Sequence, residues 1–217
     1  MRALLSVADR EGISSFAREL IGLGVEIFAT DGTREHLAAD AVSVASVADL
    51  TGVPSLLGGQ VKTFHPAVYA GILARRDRPE QIRELAEQGI GLIDLVVVNV
   101  KPFGAEVGRS LVGLEEAIEM IDVGGAALLS AAARNAAGVA AVPRPVHYAA
   151  VLADIRERGH VSPTLRARLA AETYSIVAAY EAQVARQSYF QRARTSKPEA
   201  TIRTKAGSRP SKRRRRR

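Results

Sequence analysis

The stretch that most constrains this chain is Ile93-Asp94-Leu95-Val96-Val97-Val98-Asn99-Val100. Its near-continuous apolarity has no alternating polar face, so it reads as a central strand covered on both sides. Such a strand needs neighbours in a sheet and helices above and below. The remaining sequence supplies both. Short apolar runs at 3–7, 25–29, 42–47 and 139–142 read as four more strands. Between them lie helical patterns, the first with Ile13, Phe16, Ala17 and Leu20 on one face and a stop at Gly22 and Gly24. Further helices are predicted over 34–39, 79–88, 114–121, 124–135, 146–158 and, from the Ser162-Pro163 start, about 163–189. Residues 68–73 read as a strand or an irregular apolar crossing. The alternation predicts a three-layer α/β fold with a parallel five-stranded sheet flanked by helices.

Charge divides the chain in two. The net charge is +7. Residues 192–217 hold twelve Lys or Arg against Glu199 alone, a balance of +11 that leaves −4 for the rest. The expected organisation is one folded domain over 1–190 and a basic, disordered tail over 191–217. The tail suits nonspecific polyanion binding through counterion release. With no cysteine, disulfides and thiolate metal sites are excluded. The N-terminus lacks a signal-peptide pattern and no run reaches membrane-span length, so a cytoplasmic protein without membrane attachment is expected.

The functional signal lies in loops. Through residue 191 the chain has sixteen arginines but only two lysines, Lys62 and Lys101. A position that keeps Lys favours a compact ammonium able to exchange a proton, which guanidinium does not offer. Lys62 stands in Leu56-Leu57-Gly58-Gly59-Gln60-Val61-Lys62-Thr63-Phe64-His65-Pro66, where paired glycines permit close backbone approach. Thr30-Asp31-Gly32-Thr33 joins a strand to a helix start, an arrangement that favours phosphate but also serves as an ordinary turn and cap. Asn99 and Lys101 fall at the carboxyl end of the central strand, where open parallel sheets place ligands. Asp122-Val123-Gly124-Gly125 opens a helix, with Asp122 either at a site rim or simply its N-cap. No His or acidic cluster has metal spacing, and no Gly-x-Gly-x-x-Gly fingerprint is present. His36, His147 and His160 read as solvated. The set suits acid–base chemistry on a phosphorylated small molecule with neither metal nor cofactor.

Four separated motifs, Leu4-Leu5-Ser6-Val7-Ala8-Asp9, Val61-Lys62-Thr63-Phe64-His65-Pro66, Asn99-Val100-Lys101-Pro102-Phe103 and Ile121-Asp122-Val123-Gly124-Gly125, together resemble the IMP cyclohydrolase domain. That domain is the N-terminal half of a bifunctional purine-biosynthesis protein and has the methylglyoxal synthase-like fold. The resemblance covers about residues 2–189. It implies closure of 5-formamidoimidazole-4-carboxamide ribonucleotide (FAICAR) to IMP with loss of water. It also implies a homodimer and no cofactor. The transformylase half is not expected within this chain, so either a separate transformylase would supply FAICAR or the chain is a truncated relative. By resemblance Lys62, Asp122, Lys101 and Arg134 are the catalytic candidates. Ser6, Asp9, Arg10, Thr30, Gly32, Thr33, Gln60, Thr63, His65, Asn99, Val123, Gly124 and Gly125 are the substrate-binding candidates.

The chain departs from the family at several of these places. Lys101 stands where the family has Tyr, and Arg134 where it has a catalytic Lys. Gln60 and Ser130 replace Arg, and Asp31 replaces Gly. Lys101 could take over the proton transfer that Arg134 cannot readily perform. Two rival readings follow from the same fold: a non-catalytic nucleotide-binding module, and methylglyoxal synthase, whose Gly-Asp-Pro context this chain lacks.

Overall fold

The computed structural model describes residues 1–100, 103 and 118–186. The predicted central strand is β4, Leu95–Asn99. It is one of five parallel strands, with β1 at Arg2–Val7, β2 at Glu26–Ala29, β3 at Ala45–Ser46 and β5 at Ala140–Val142. They are ordered β3-β2-β1-β4-β5. Leu95 and Val97 bury into one apolar layer and Val96 and Val98 into the other, which explains why this strand shows no polar face.

The first layer is built on α1 (Ile13–Gly22), α2 (Asp31–Ala39) and α7 (Tyr148–Arg158). Phe16 of α1 stacks on Tyr148 of α7, with ring centroids 4.1 Å apart. Such a contact adds about 0.5–1.5 kcal/mol beyond area burial. The opposite layer contains α4 (Pro66–Leu73) and α6 (Val123–Arg134), with α8 (Pro163–Arg186) packed along α6 and β5. Two shorter helices, α3 (Val47–Thr51) and α5 (Pro79–Glu87), complete the connections. No described helix is long and apolar enough to cross a membrane.

Three expectations need correction. Residues 68–73 are neither strand nor irregular but part of α4. His65 caps it by accepting from the Ala67 N–H at 3.2 Å, and Pro66 supplies the first helical position. Val68 and Ile72, four apart, are both fully buried, so an apolar run that suggested a strand is a buried helix. The third strand shrinks to two residues because Ser46 and Asp49 form a capping box that starts α3 at Val47. His147 is not solvated. It is 9% exposed, with Nε2 2.9 Å from the Glu172 carboxylate of α8. The predicted helix over 114–121 lies mostly outside the described residues, as do the last three residues of the one over 163–189.

Gly71 of α4 shows how tightly the second layer closes. A Cβ there would stand 2.7 Å from the Gly91 carbonyl oxygen and 3.3 Å from the Ile93 side chain. The obstacle is backbone, so Gly71→Ala is expected to destabilise by about 1–3 kcal/mol. Thermal denaturation checks this. A Tm equal to that of the parent would show that the α4–β4 spacing can relax freely.

Candidate active site

Strand order reverses between β1 and β4, and the register pairs Val7 with Asn99 at their carboxyl ends. Ligands of open parallel sheets bind in this crevice. A cavity of about 780 Å³ lies there. It receives the loops after β1 and β2, Asn99 at the end of β4, the 58–64 segment and residues 118–125 at the start of α6.

One end is built for an anion. Thr30 donates from Oγ1 to Ser6 Oγ at 3.1 Å, and Thr33 Oγ1 accepts from the Val7 N–H at 3.0 Å. Thr30 and Thr33 are nearly inaccessible, at 4% and 2% exposed, so their hydroxyls are fixed rather than free rotors. Thr30 caps α2 with its backbone alone, leaving the N–H groups of Asp31, Gly32 and Thr33 without acceptors among the described residues. Those groups and the helix dipole favour negative charge. Gly32 faces Arg10, whose Nη2 lies 3.7 Å from the position of a Cβ. Asp31 is exposed and is not part of the cavity wall, so its charge does not block the anion end.

The second wall is the lysine loop. Leu56 and Val61 form an antiparallel bridge, with N···O distances of 2.9 and 3.2 Å. Between them Leu57, Gly58 and Gly59 take φ of 52°, 62° and 96°. Glycine makes two of these accessible, and Leu57 holds a conformation that costs a branched residue free energy. The tight turn brings Gln60, Lys62 and Thr63 to the cavity. Lys62 Nζ lies 3.9 Å from where a Gly59 Cβ would be, so the bare glycine leaves room for the ammonium. Thr63 is 2% exposed, and its Oγ1 is 3.5 Å from the Cβ position of Gly124. Phe64 stacks on Tyr69 of α4, with centroids 6.0 Å apart. Burial pushes the Tyr69 phenol up to about 12, so it stays neutral behind that wall.

Packed against the lysine loop stands the start of α6, where a Gly124 Cβ would lie 3.5 Å from Thr63 Oγ1. Asp122 is its N-cap, with Oδ1 accepting from the Gly125 N–H at 2.8 Å. A Cβ at Gly125 would fall 2.5 Å from Asp122 Oδ2, so the bare glycine lets the carboxylate keep this position. The carboxylate lines the cavity, and Oδ2 has no hydrogen-bond partner among the described residues. The Gly124 N–H likewise has none among them, and Val123, Gly124 and Gly125 all border the cavity. The residues that carry this carboxylate, ammonium and free N–H thus border the same cavity as the anion-suited start of α2. That combination can hold a phosphate and move a proton at the far end of the same molecule.

Not every candidate reaches this volume. Asn99 borders it, yet its side chain is already engaged. Oδ1 accepts from the Ala8 and Asp9 N–H groups at 2.6 and 2.8 Å, and Nδ2 donates to the Asp9 carbonyl at 3.0 Å. It therefore shapes the β1 loop. Asp9 and His65 do not line the cavity; Asp9 Oδ1 accepts from Glu11 N–H and His65 caps α4. Arg134 is exposed in the last turn of α6. At 1.5 Å per residue it lies about 16 Å along the axis from Val123. A cation there complements the helix dipole. Lys101 lies outside the described residues. The sequence reading missed Phe64, Glu119 and Met120 as wall residues. Only Phe64 carried a cue, as the aromatic beside Lys62 and Thr63.

Known proteins share this architecture. The family model for the MGS-like domain matches residues 12–127, and that for the AICARFT/IMPCHase bienzyme matches residues 132–213. The bifunctional purine biosynthesis protein PurH of Pelodictyon phaeoclathratiforme is 45% identical over 185 residues, covering 85% of this chain and 35% of its own length. PurH of Lacticaseibacillus casei is 48% identical over 184 residues, covering 84% and 36%. The chain therefore spans about a third of the length of these curated relatives. The crystal structure of ForH superposes with a TM-score of 0.77 at 38% identity, covering 88% of this chain and 98% of that one. With a five-stranded parallel sheet, a family match over residues 12–127 and a relative of matching extent, the chain belongs to the MGS-like domain family.

Proposed function

We propose that this protein is an IMP cyclohydrolase that closes FAICAR to IMP with loss of water. The observation that carries the reading is one cavity with a phosphate-suited end, Ser6, Thr30, Thr33, Arg10 and the α2 start, that is also bordered by Lys62, Asp122 and Gly124. Similarity to PurH and to the AICARFT/IMPCHase model supports it.

In the reaction, the carboxamide nitrogen bonds to the formyl carbon and its proton passes to Asp122 Oδ2. The formyl oxygen gains negative charge, which Lys62 and the Gly124 N–H stabilise. That oxygen takes up the proton held by Asp122 and then the formamido nitrogen's proton, the C–O bond breaks as the C=N bond forms, and water leaves from the closed ring. Both reacting groups belong to one molecule, so fixing its phosphate at the opposite end supplies much of the rate through orientation. Lys101 stands as the further proton-transfer candidate. Asp9, Gln60, Thr63, His65 and Asn99 remain substrate-side candidates, Asn99 acting through the β1 loop. Residues 1–190 form the catalytic unit and 191–217 a basic extension with affinity for polyanions. FAICAR comes from a transformylase activity, as the similarity to bifunctional PurH suggests, and the enzyme works as a cytoplasmic homodimer.

The test is a spectrophotometric assay of FAICAR cyclisation with the full chain, beside calorimetric binding of IMP. Turnover well above the uncatalysed rate is expected. IMP binding with cyclisation at the uncatalysed rate would replace this reading with a non-catalytic nucleotide-binding module.

A further inference from the structure

Asp122 is held from two sides, and only one of them is local. Its carboxylate is bound by the Gly125 N–H, but its own backbone N–H donates to the phenol oxygen of Tyr180, at 2.6 Å and 58 residues away. Tyr180 lies on α8, is 2% exposed, and is not part of the cavity wall. It belongs to a small apolar cluster with Phe103, Ala126 and Val184, against which Met120 and Ile121 pack. That cluster is separate from the two main core layers. It joins the carboxyl-terminal half of α8 to the turn that carries Asp122.

We infer that Tyr180 is a positioning residue that sets the direction of the Asp122 carboxylate into the cavity through its bond to the Asp122 backbone. The Asp122 carbonyl enters the helical ladder by accepting from the Ala126 N–H at 3.4 Å, but its own N–H has no acceptor within the helix and is held only from outside. Without an outside acceptor, the Asp122 peptide can rotate and carry the side chain with it. The Tyr180 oxygen removes that freedom, while Gly125, which has no room for a Cβ, lets the carboxylate lie flat against the first turn. The phenol is buried, and burial raises it above its ordinary range, so it remains a neutral group across the pH range of the assay. By this assignment the site extends to α8, beyond the 12–127 segment matched by the MGS-like model.

The inference rests on the reading of Asp122 as the proton acceptor, and its test separates the two. Tyr180→Phe keeps the ring and removes the oxygen. Amide hydrogen exchange in the full-length protein should show the Asp122 N–H exchanging about tenfold faster while the β4 amides are unchanged. In the cyclisation assay kcat should fall about tenfold with KM nearly constant, because misplacement of a reacting group affects the transition state more than binding. In an Asp122→Asn background the same change should have little further effect on kcat. Val184→Ala serves as the packing control, lowering Tm without accelerating exchange at Asp122. Parental exchange at Asp122 in Tyr180→Phe, or an equal kcat loss in both backgrounds, would overturn the inference. If the parent protein shows no turnover, the cyclohydrolase reading falls and the exchange measurement alone decides the positioning role.

Discussion

Asp122→Asn is expected to lower kcat for FAICAR cyclisation by about a thousandfold, within the range for loss of a positioned acid–base group, while leaving the fold intact. The separation is possible because the proposed mechanism gives the second Asp122 oxygen a task apart from the cap made by the first. Oδ1 caps α6 by accepting from Gly125 N–H. Asparagine is as good an N-cap as aspartate and can present its carbonyl oxygen to the same N–H. The cap is thereby preserved, and Tm should change little. The other position, Oδ2 in the parent, becomes an amide NH₂ that cannot accept a proton. IMP binding should persist, since the phosphate end of the cavity is untouched. A variant with normal turnover would show that the carboxylate is only a cap. Asp122→Ala is the informative comparison: it should lose both functions, adding about 1 kcal/mol of destabilisation from the missing cap.

Legibility in the sequence followed the range of the forces involved. The sheet was readable because β4 must be apolar on both faces, and the two buried layers on either side of Val96 and Val97 are the direct consequence. Loops at the carboxyl edge were readable because parallel topology fixes where strands end. Ser6, Thr30, Thr33, Lys62 and Asp122 all arrive at one cavity for that reason. Helix α4 was not readable as such. Its short apolar run has no polar face, and periodicity alone does not separate a buried helix from a buried strand. The His65-Pro66 start was the available signal, although His65 attracted attention as a ligand and serves as a cap. Asn99 was located correctly at its strand end, but its three bonds to the Ala8–Asp9 backbone depend on the β1–β4 register. Tyr180 is the extreme case. Its contact to Asp122 spans 58 residues, and no local pattern marks it.

Lys62 gives the second large effect, and the contrast between two substitutions carries the argument. Lys62→Met keeps a stem of similar length and removes the charge, so in the proposed reaction the oxygen that develops negative charge loses the Lys62 ammonium. Loss of one such electrostatic donor costs about 10²–10³ in kcat. Lys62→Arg restores the charge but not the shape or the proton. The ammonium sits beside Gly59, where the absence of a Cβ leaves room, and Ser55 Oγ lies 3.7 Å from that same Cβ position. A planar guanidinium is wider, and it does not readily release and recover a proton. Lys62→Arg should therefore bind IMP close to the parental level while kcat remains about a hundredfold down. Steady-state kinetics and calorimetry on the two variants check this. Full turnover in Lys62→Arg would show that charge alone is required, and the chain's use of arginine nearly everywhere else would then leave its lysine at position 62 without a chemical reason.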